Sequence, residues 1–265
     1  MKKYAVIGNP IGQSLSPAMH NAAFKELGVD AHYEALEVEK LDRAYDFLKK
    51  NFAGINVTIP HKVGILEYVD EKEMAVDLIG AANCIEFGKT ANAYNTDMYG
   101  AIEALKTEVP KLKGKRVLVL GAGGAARAIV YGCALEGAEV SLYNRTVEKA
   151  NELAKDVRTK LGKDIRVLRK PELKGLDILV NATSIGMTPN ANESPLDSIP
   201  KIVVMDIVYN PLDTKFLKQA KAAGARTING VEMFVQQGAE SLRIWGYKPP
   251  IEVMREAVLK ELKEK

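Results

Sequence analysis

Three polar clusters in the 265-residue chain carry side chains that could do chemistry on a small molecule. Ser14 and Ser16 stand at alternate positions in Gly8-Asn9-Pro10-Ile11-Gly12-Gln13-Ser14-Leu15-Ser16-Pro17, a loop that opens onto a helical pattern. Two hydroxyls beside a helix N-terminus suit a carboxylate, because the hydroxyls donate to its oxygens and the helix end favours negative charge. Taken alone, Ser16 reads more simply as the cap of that helix. Lys62 closes the segment Asn56-Val57-Thr58-Ile59-Pro60-His61-Lys62, Asn83 lies in an Ala82-Asn83-Cys84 turn, and Asp97 follows Asn95-Thr96. Residues ending several strands of an α/β sheet share one crevice, which would bring Lys62 and Asp97 together; otherwise each is an ordinary solvated charge.

A different chemistry is written at Arg116-Val-Leu-Val-Leu-Gly121-Ala-Gly123-Gly124-Ala125-Ala126-Arg127. A buried-strand run enters a GxGxxA turn and helix formers follow directly, the order a dinucleotide site requires. Gly121 permits the tight turn, Gly123 lets the backbone approach a pyrophosphate, and Ala126 lets the helix lie close to the strand. The next strand ends in Asn144-Arg145-Thr146, where a carboxylate would hold the ribose hydroxyls of NAD. A guanidinium and a hydroxyl there suit a 2′-phosphate instead, so the cofactor expected is NADP.

The elements positioning these groups alternate in βα fashion, which predicts an α/β protein fed by a parallel sheet. Strands are expected at Tyr4 to Ile7, His32 to Val38, Gly54 to Thr58, Arg116 to Leu120, Glu139 to Tyr143, Ile165 to Leu168, Ile178 to Asn181 and Ile202 to Ile207. The first helix has Ser16 to cap it, Pro17 at its first position and Gly28 at its far end. Two domains are expected: residues 1–98 with 231–265 for substrate, and 99–230 as a Rossmann-type dinucleotide domain. The stretches Val231 to Gly246 and Pro249 to Lys265 read as two helices without a strand, expected to return to the first domain.

Composition excludes several other classes. With 47% hydrophobic and 27% charged residues, the chain is neither disordered nor fibrous. A net charge of +3 is too small and dispersed for a nucleic-acid footprint, and the basic stretch from Lys155 to Lys174 has no aromatic residue on which a base could stack. Cys84 and Cys133 lack CxxC spacing and clustered histidines, so they read as buried thiols of a reducing, cytoplasmic compartment with no metal site. No apolar run reaches the length of a membrane span. Monomer and homodimer are both open.

Taken together the motifs resemble the shikimate dehydrogenases over nearly the whole chain. The resemblance runs through Ser14-Leu15-Ser16, Asn56 to Lys62, Ala82-Asn83, Asn95 to Gly100, Gly121 to Arg127, Asn144-Arg145-Thr146, Asn181 to Ser184, and Gly230 with Met233 and Gln236-Gln237. It implies an enzyme that reduces 3-dehydroshikimate to shikimate with NADPH, toward chorismate and the aromatic amino acids. It also implies roles. Ser14 and Ser16 would hold the substrate carboxylate, and Thr58, Asn83 and Gln237 its ring oxygens, with Lys62 and Asp97 as the catalytic pair and Tyr209 near substrate and nicotinamide. Gly121, Gly123, Gly124, Ala125 and Ala126 would cradle the pyrophosphate, Asn144, Arg145 and Thr146 would read the adenosine phosphate, and Ala182, Thr183, Gly230 and Met233 would meet the nicotinamide. Cys84 departs from the threonine common in the family, at a position with no catalytic duty.

A lysine ordinarily keeps its proton at neutral pH, so in the reducing direction Lys62 is expected to stabilise negative charge growing on a carbonyl oxygen and then to protonate it. Asp97 would orient the ammonium. His61, next to Lys62, should point the opposite way along an extended segment. An NAD-linked quinate/shikimate dehydrogenase would be expected to carry an acid at 144–146. A non-catalytic metabolite-binding regulator would need no Lys62 with Asp97, and a folate dehydrogenase of similar plan would not need the Ser14 and Ser16 loop.

Overall fold

The structure is a computed structural model and describes residues 1–264. In chain order it contains β1 (Lys2–Gly8), α1 (Ser16–Glu26), β2 (Ala31–Glu37), α2 (Leu41–Asn51), β3 (Gly54–Val57), a 3₁₀ turn (Gly64–Glu67), β4 (Glu71–Lys72), α3 (Met74–Ile79), β5 (Cys84–Phe87) and β6 (Ala91–Tyr94). There follow α4 (Thr96–Lys106), β7 (Arg116–Leu120), α5 (Gly124–Leu135), β8 (Glu139–Tyr143), α6 (Val147–Leu161), β9 (Arg166–Leu168), β10 (Ile178–Asn181), β11 (Val203–Asp206), α7 (Lys215–Ala222), β12 (Arg226–Ile228), α8 (Gly230–Ile244) and α9 (Ile251–Glu264). These form two compact units, Met1–Thr96 with Val235–Lys265, and Asp97–Phe234.

The first unit is built on a sheet ordered β2-β1-β3-β5-β6-β4. β1 lies inside it, parallel to both β2 and β3, and its Tyr4-Ala5-Val6-Ile7 run is buried, as a strand covered on both faces must be. Beyond the parallel βα core the sheet is mixed: β5 runs antiparallel to β3 and to β6. Ala91-Asn92-Ala93-Tyr94 has little strand propensity of its own, and its pairing with β5 is what makes it a strand. Ile7, Ile55, Val57 and Ile85 pack beneath Leu41, Tyr45 and Leu48 of α2, each such burial contributing about 1.5 to 3 kcal/mol.

The C-terminal helices return to this unit, α9 packing on α1. Trp245 anchors the end of α8: its indole N–H donates to the Ile85 carbonyl at 3.3 Å and its ring lies 4.5 Å from that of Tyr4. The start of α1 differs from expectation. Leu15 is the N-cap, Ser16 is already helical, and no side chain caps the helix; Pro17 therefore stands at the second helical position rather than the first, while Gly28, with φ +62°, follows the far end as expected.

The second unit has a six-stranded sheet ordered β12-β11-β10-β7-β8-β9, every pair parallel. Counted within the unit this is the doubly wound Rossmann order, with its reversal between β7 and β10. Leu118, Leu120, Leu179 and Val204 of the strands bury against Phe216, Leu217 and Ala220 of α7. Among the described residues no helix is long and apolar enough to cross a membrane, and no three or more His, Cys, Asp or Glu side chains group so as to hold a metal ion.

Candidate functional site

In the first unit, two strand ends are stitched side by side. Asn9 N–H donates to the Ile59 carbonyl at 3.0 Å and Thr58 N–H to the Ile7 carbonyl at 2.9 Å, which holds the Ser14 loop against the segment leading to Lys62. Ser16 is buried and Ser14 half-buried, and the Ser16 amide donates to Ser14 Oγ at 3.3 Å. Lys62 is half-buried, and its carbonyl accepts from Ala82 N–H at 2.8 Å, one residue before Asn83.

Asn83 organises the rest. Its side chain is buried, with Oδ1 accepting from the Thr96 amide at 2.7 Å and Nδ2 donating to Thr96 Oγ1 at 2.9 Å. Thr96 Oγ1 lies 3.5 Å from Oε1 of Gln237 on α8, and Asp97 is the next residue of the chain. His61 is buried with its ring Nε2 2.6 Å from the Val38 carbonyl, to which it donates, and serves the scaffold.

Beneath these residues runs a buried network that the motifs did not disclose. Tyr33 donates its hydroxyl to Asn56 Oδ1 at 2.8 Å, and Asn56 Nδ2 donates to the Asn83 carbonyl at 3.0 Å and to Ser241 Oγ at 2.9 Å. Burial holds the Tyr33 phenol well above its ordinary pKa, so it remains a donor. Ser241 donates in turn to the Gln237 carbonyl at 3.1 Å. Asn56 and Ser241 are 185 residues apart in sequence, and only the fold brings them together.

In the second unit the site forms at the reversal of strand order. Gly121, after β7, has φ +113°, and a Cβ there would lie 2.9 Å from the Ala182 carbonyl oxygen and 3.1 Å from Thr183 Cγ2, so only glycine lets these loops touch. Gly123 and Gly124 are exposed with open space where a Cβ would project, at the start of an α5 whose first turn has no acid. Ala125 is half-buried and Ala126 fully buried. Open backbone amides at a helix N-terminus beside a left-handed glycine fit a pyrophosphate.

Arg145 and Thr146 are exposed beyond the end of β8, where Asn144 Nδ2 donates to the Thr146 carbonyl at 2.7 Å. This turn presents a guanidinium and a hydroxyl with no carboxylate among its three residues, which fits a 2′-phosphate. Across the reversal, Asn181 ends β10 and its Oδ1 accepts from the Thr183 amide at 3.1 Å and hydroxyl at 2.6 Å. Gly230 abuts the backbone of Ile207 and Val208 so closely that a Cβ would collide with it. Met233 is buried, and the Tyr209 ring lies 5.2 Å from that of Phe234.

Comparison with known proteins agrees with this geometry. Residues 6–85 match the model of the shikimate dehydrogenase substrate binding domain, residues 103–211 that of shikimate / quinate 5-dehydrogenase, and residues 230–259 that of the shikimate 5′-dehydrogenase C-terminal domain. The shikimate dehydrogenase (NADP(+)) of Methanocaldococcus jannaschii is 45% identical, the alignment covering 98% of this chain and 97% of that protein. The shikimate 5-dehydrogenase of Thermus thermophilus, crystallised with NADP(H) and shikimate, is 36% identical with a TM-score of 0.91, over 98% of this chain and all of that one. A quinate dehydrogenase from Corynebacterium glutamicum, in complex with NAD, is more distant at 27% identity and TM-score 0.89, over 98% of this chain and 99% of that one. With two α/β units, the second of Rossmann order, and likeness running end to end, the chain belongs to the shikimate dehydrogenase family.

Proposed function

We infer that the chain catalyses the reversible, NADPH-dependent reduction of 3-dehydroshikimate to shikimate, on the route to chorismate and the aromatic amino acids. The observation that carries this reading is the end-to-end likeness to NADP-linked shikimate dehydrogenases, at 45% identity in one case. The absence of an acid from Asn144-Arg145-Thr146 favours NADP over NAD.

The residues divide the work as follows. Ser14 and Ser16 hold the substrate carboxylate, and Thr58, Asn83 and Gln237 hold ring oxygens. Lys62, as an ammonium, donates a hydrogen bond to the ketone oxygen, stabilises the charge that grows there, and delivers its proton. Asp97 orients the ammonium and holds a neighbouring hydroxyl. Gly121, Gly123, Gly124, Ala125 and Ala126 take the pyrophosphate, Asn144, Arg145 and Thr146 the 2′-phosphate, and Ala182, Thr183, Gly230 and Met233 flank the nicotinamide, with Tyr209 near substrate and nicotinamide. The chemistry NADPH supplies when bound is donation of a hydride. We place the protein in the cytoplasm, where its two buried free thiols, Cys84 and Cys133, are stable.

The test mixes the protein with shikimate or quinate and with NADP or NAD, and follows reduced nicotinamide by absorbance. Turnover confined to, or strongly favouring, shikimate with NADP is expected; turnover only of quinate with NAD, or none at all, contradicts the reading.

A further inference from the structure

Asp206 ends β11 fully buried, and no role assigned above uses it. Oδ1 accepts from Asn181 Nδ2 at 3.0 Å and from Val208 N–H at 3.1 Å, and Oδ2 accepts from the Thr214 hydroxyl at 2.7 Å. All three partners are neutral donors. Burial outweighs them and pushes the carboxyl pKa up to about 6.

The polarity of the contact with Asn181 is what matters. The two ends of an asparagine amide have the same shape, so its environment decides which end faces which way. An ionised carboxylate only accepts, so Asp206 receives Nδ2, whose second hydrogen bond goes to the Ile185 carbonyl at 3.2 Å. Oδ1 is left facing Thr183, where it takes both the backbone N–H and the hydroxyl. Thr183 Oγ1, its proton committed, accepts from Ile185 N–H at 3.1 Å. Asp206 thus supplies the nearer of the two acceptors that hold the Asn181 amide, and its bond to Val208 N–H fixes the residue before Tyr209.

We propose that Asp206 is a positioning residue for the nicotinamide end of the cofactor site, acting by holding the Asn181 side chain against Ala182 and Thr183. The proposal rests on the NADP reading above for its catalytic consequence, but its structural half stands in the protein without cofactor.

The experiment compares Asp206→Ala, Asp206→Asn and Thr214→Val by amide hydrogen exchange without cofactor, by Tm, and by kcat and KM. Asp206→Ala removes the nearer acceptor of the Asn181 amide and loosens that side chain, so exchange at the Thr183 amide should rise about tenfold or more, and kcat should fall about 10- to 100-fold with KM for shikimate within about twofold. Asp206→Asn keeps an acceptor for Asn181 and Val208, while its NH₂ meets a Thr214 hydroxyl turned to accept; both readouts should return to near wild type. Thr214→Val removes a bond to the same carboxylate and the cap of α7, so Tm should fall while Thr183 stays protected and kcat holds.

If Asp206→Ala does not fold, Asp206→Leu removes the same acceptor while keeping the side-chain volume, and should give the same exchange and kcat losses. Unchanged Thr183 exchange in Asp206→Ala or, failing that, in Asp206→Leu would overturn the proposal, as would Thr214→Val reproducing the loss of kcat. A wild-type protein inactive on shikimate would instead overturn the functional reading, with the exchange data still deciding the role of Asp206.

Discussion

The side-chain oxygen of Asn83 accepts the backbone N–H of Thr96 at 2.7 Å, and the same amide donates to the Thr96 hydroxyl at 2.9 Å. One buried side chain therefore pins the first residue of α4, immediately before Asp97, to the edge of β5. The Lys62 carbonyl is tied to the residue just before Asn83, so the backbones that carry the proposed acid and its carboxylate partner are both anchored there.

Asn83→Ala should accordingly act on chemistry as well as on stability. It leaves the Thr96 amide buried without its acceptor, at a cost of about 1 to 3 kcal/mol. Thermal unfolding should show a lower Tm, and steady-state kinetics a fall in kcat along with a higher KM for shikimate.

Ser14→Ala should change binding and little else. A hydroxyl donating to a carboxylate contributes about 1.5 to 3 kcal/mol, so KM for shikimate should rise about 10- to 100-fold with kcat within a few-fold. The half-buried setting of Ser14, with its oxygen already accepting from Ser16 N–H, leaves its proton for the ligand.

Arg145→Ala should alter the choice of nucleotide. Loss of one charge-assisted contact to a 2′-phosphate should lower the ratio of kcat/KM for NADP over NAD by about 10- to 100-fold. An unchanged ratio would mean that the exposed guanidinium does not read the phosphate.

Stability should depend on pH through His20. Its ring is fully buried, stacked 4.3 Å from Tyr33, with no hydrogen-bond partner for either nitrogen among the described residues. Burial pushes its pKa down to about 3, so the unfolded chain, at about 6.5, binds the proton first. Stability from this group is complete above pH 6.5 and is lost as pH falls toward 3, by about 1.4 kcal/mol per unit. Asp206, raised to about 6 by burial, has the opposite sign: its folded form takes up a proton first, which adds stability as pH falls from about 6 to 4. Denaturant unfolding at pH 7 and pH 5 should therefore show His20→Phe gaining about 2 kcal/mol relative to wild type on acidification.

Local sequence disclosed what local chemistry determines. The strand, GxGxxA turn and helix around Gly121 occupy adjacent residues, and the missing acid at 144–146 is visible in three letters. Lys62 and Asp97 became legible through resemblance, since either one alone reads as a solvated charge. The β5 and β6 pairing was not legible, because tertiary contact overrides the weak propensity of Ala91 to Tyr94. Ser16 as a cap failed because the helix begins one residue earlier than the hydroxyl suggests. The buried bonds from Asn56 to Ser241 and from Asn181 to Asp206 join residues 185 and 25 positions apart, and no spacing rule encodes such contacts.

The central claim is that Lys62 supplies the proton to the ketone oxygen, and Lys62→Ala tests it most directly when kcat for dehydroshikimate reduction is measured beside NADPH affinity. A fall in kcat of at least about 100-fold, with NADPH binding and Tm near wild type, is the expected result. Turnover within a few-fold of wild type would contradict the assignment of Lys62 and the account of the reaction built on it.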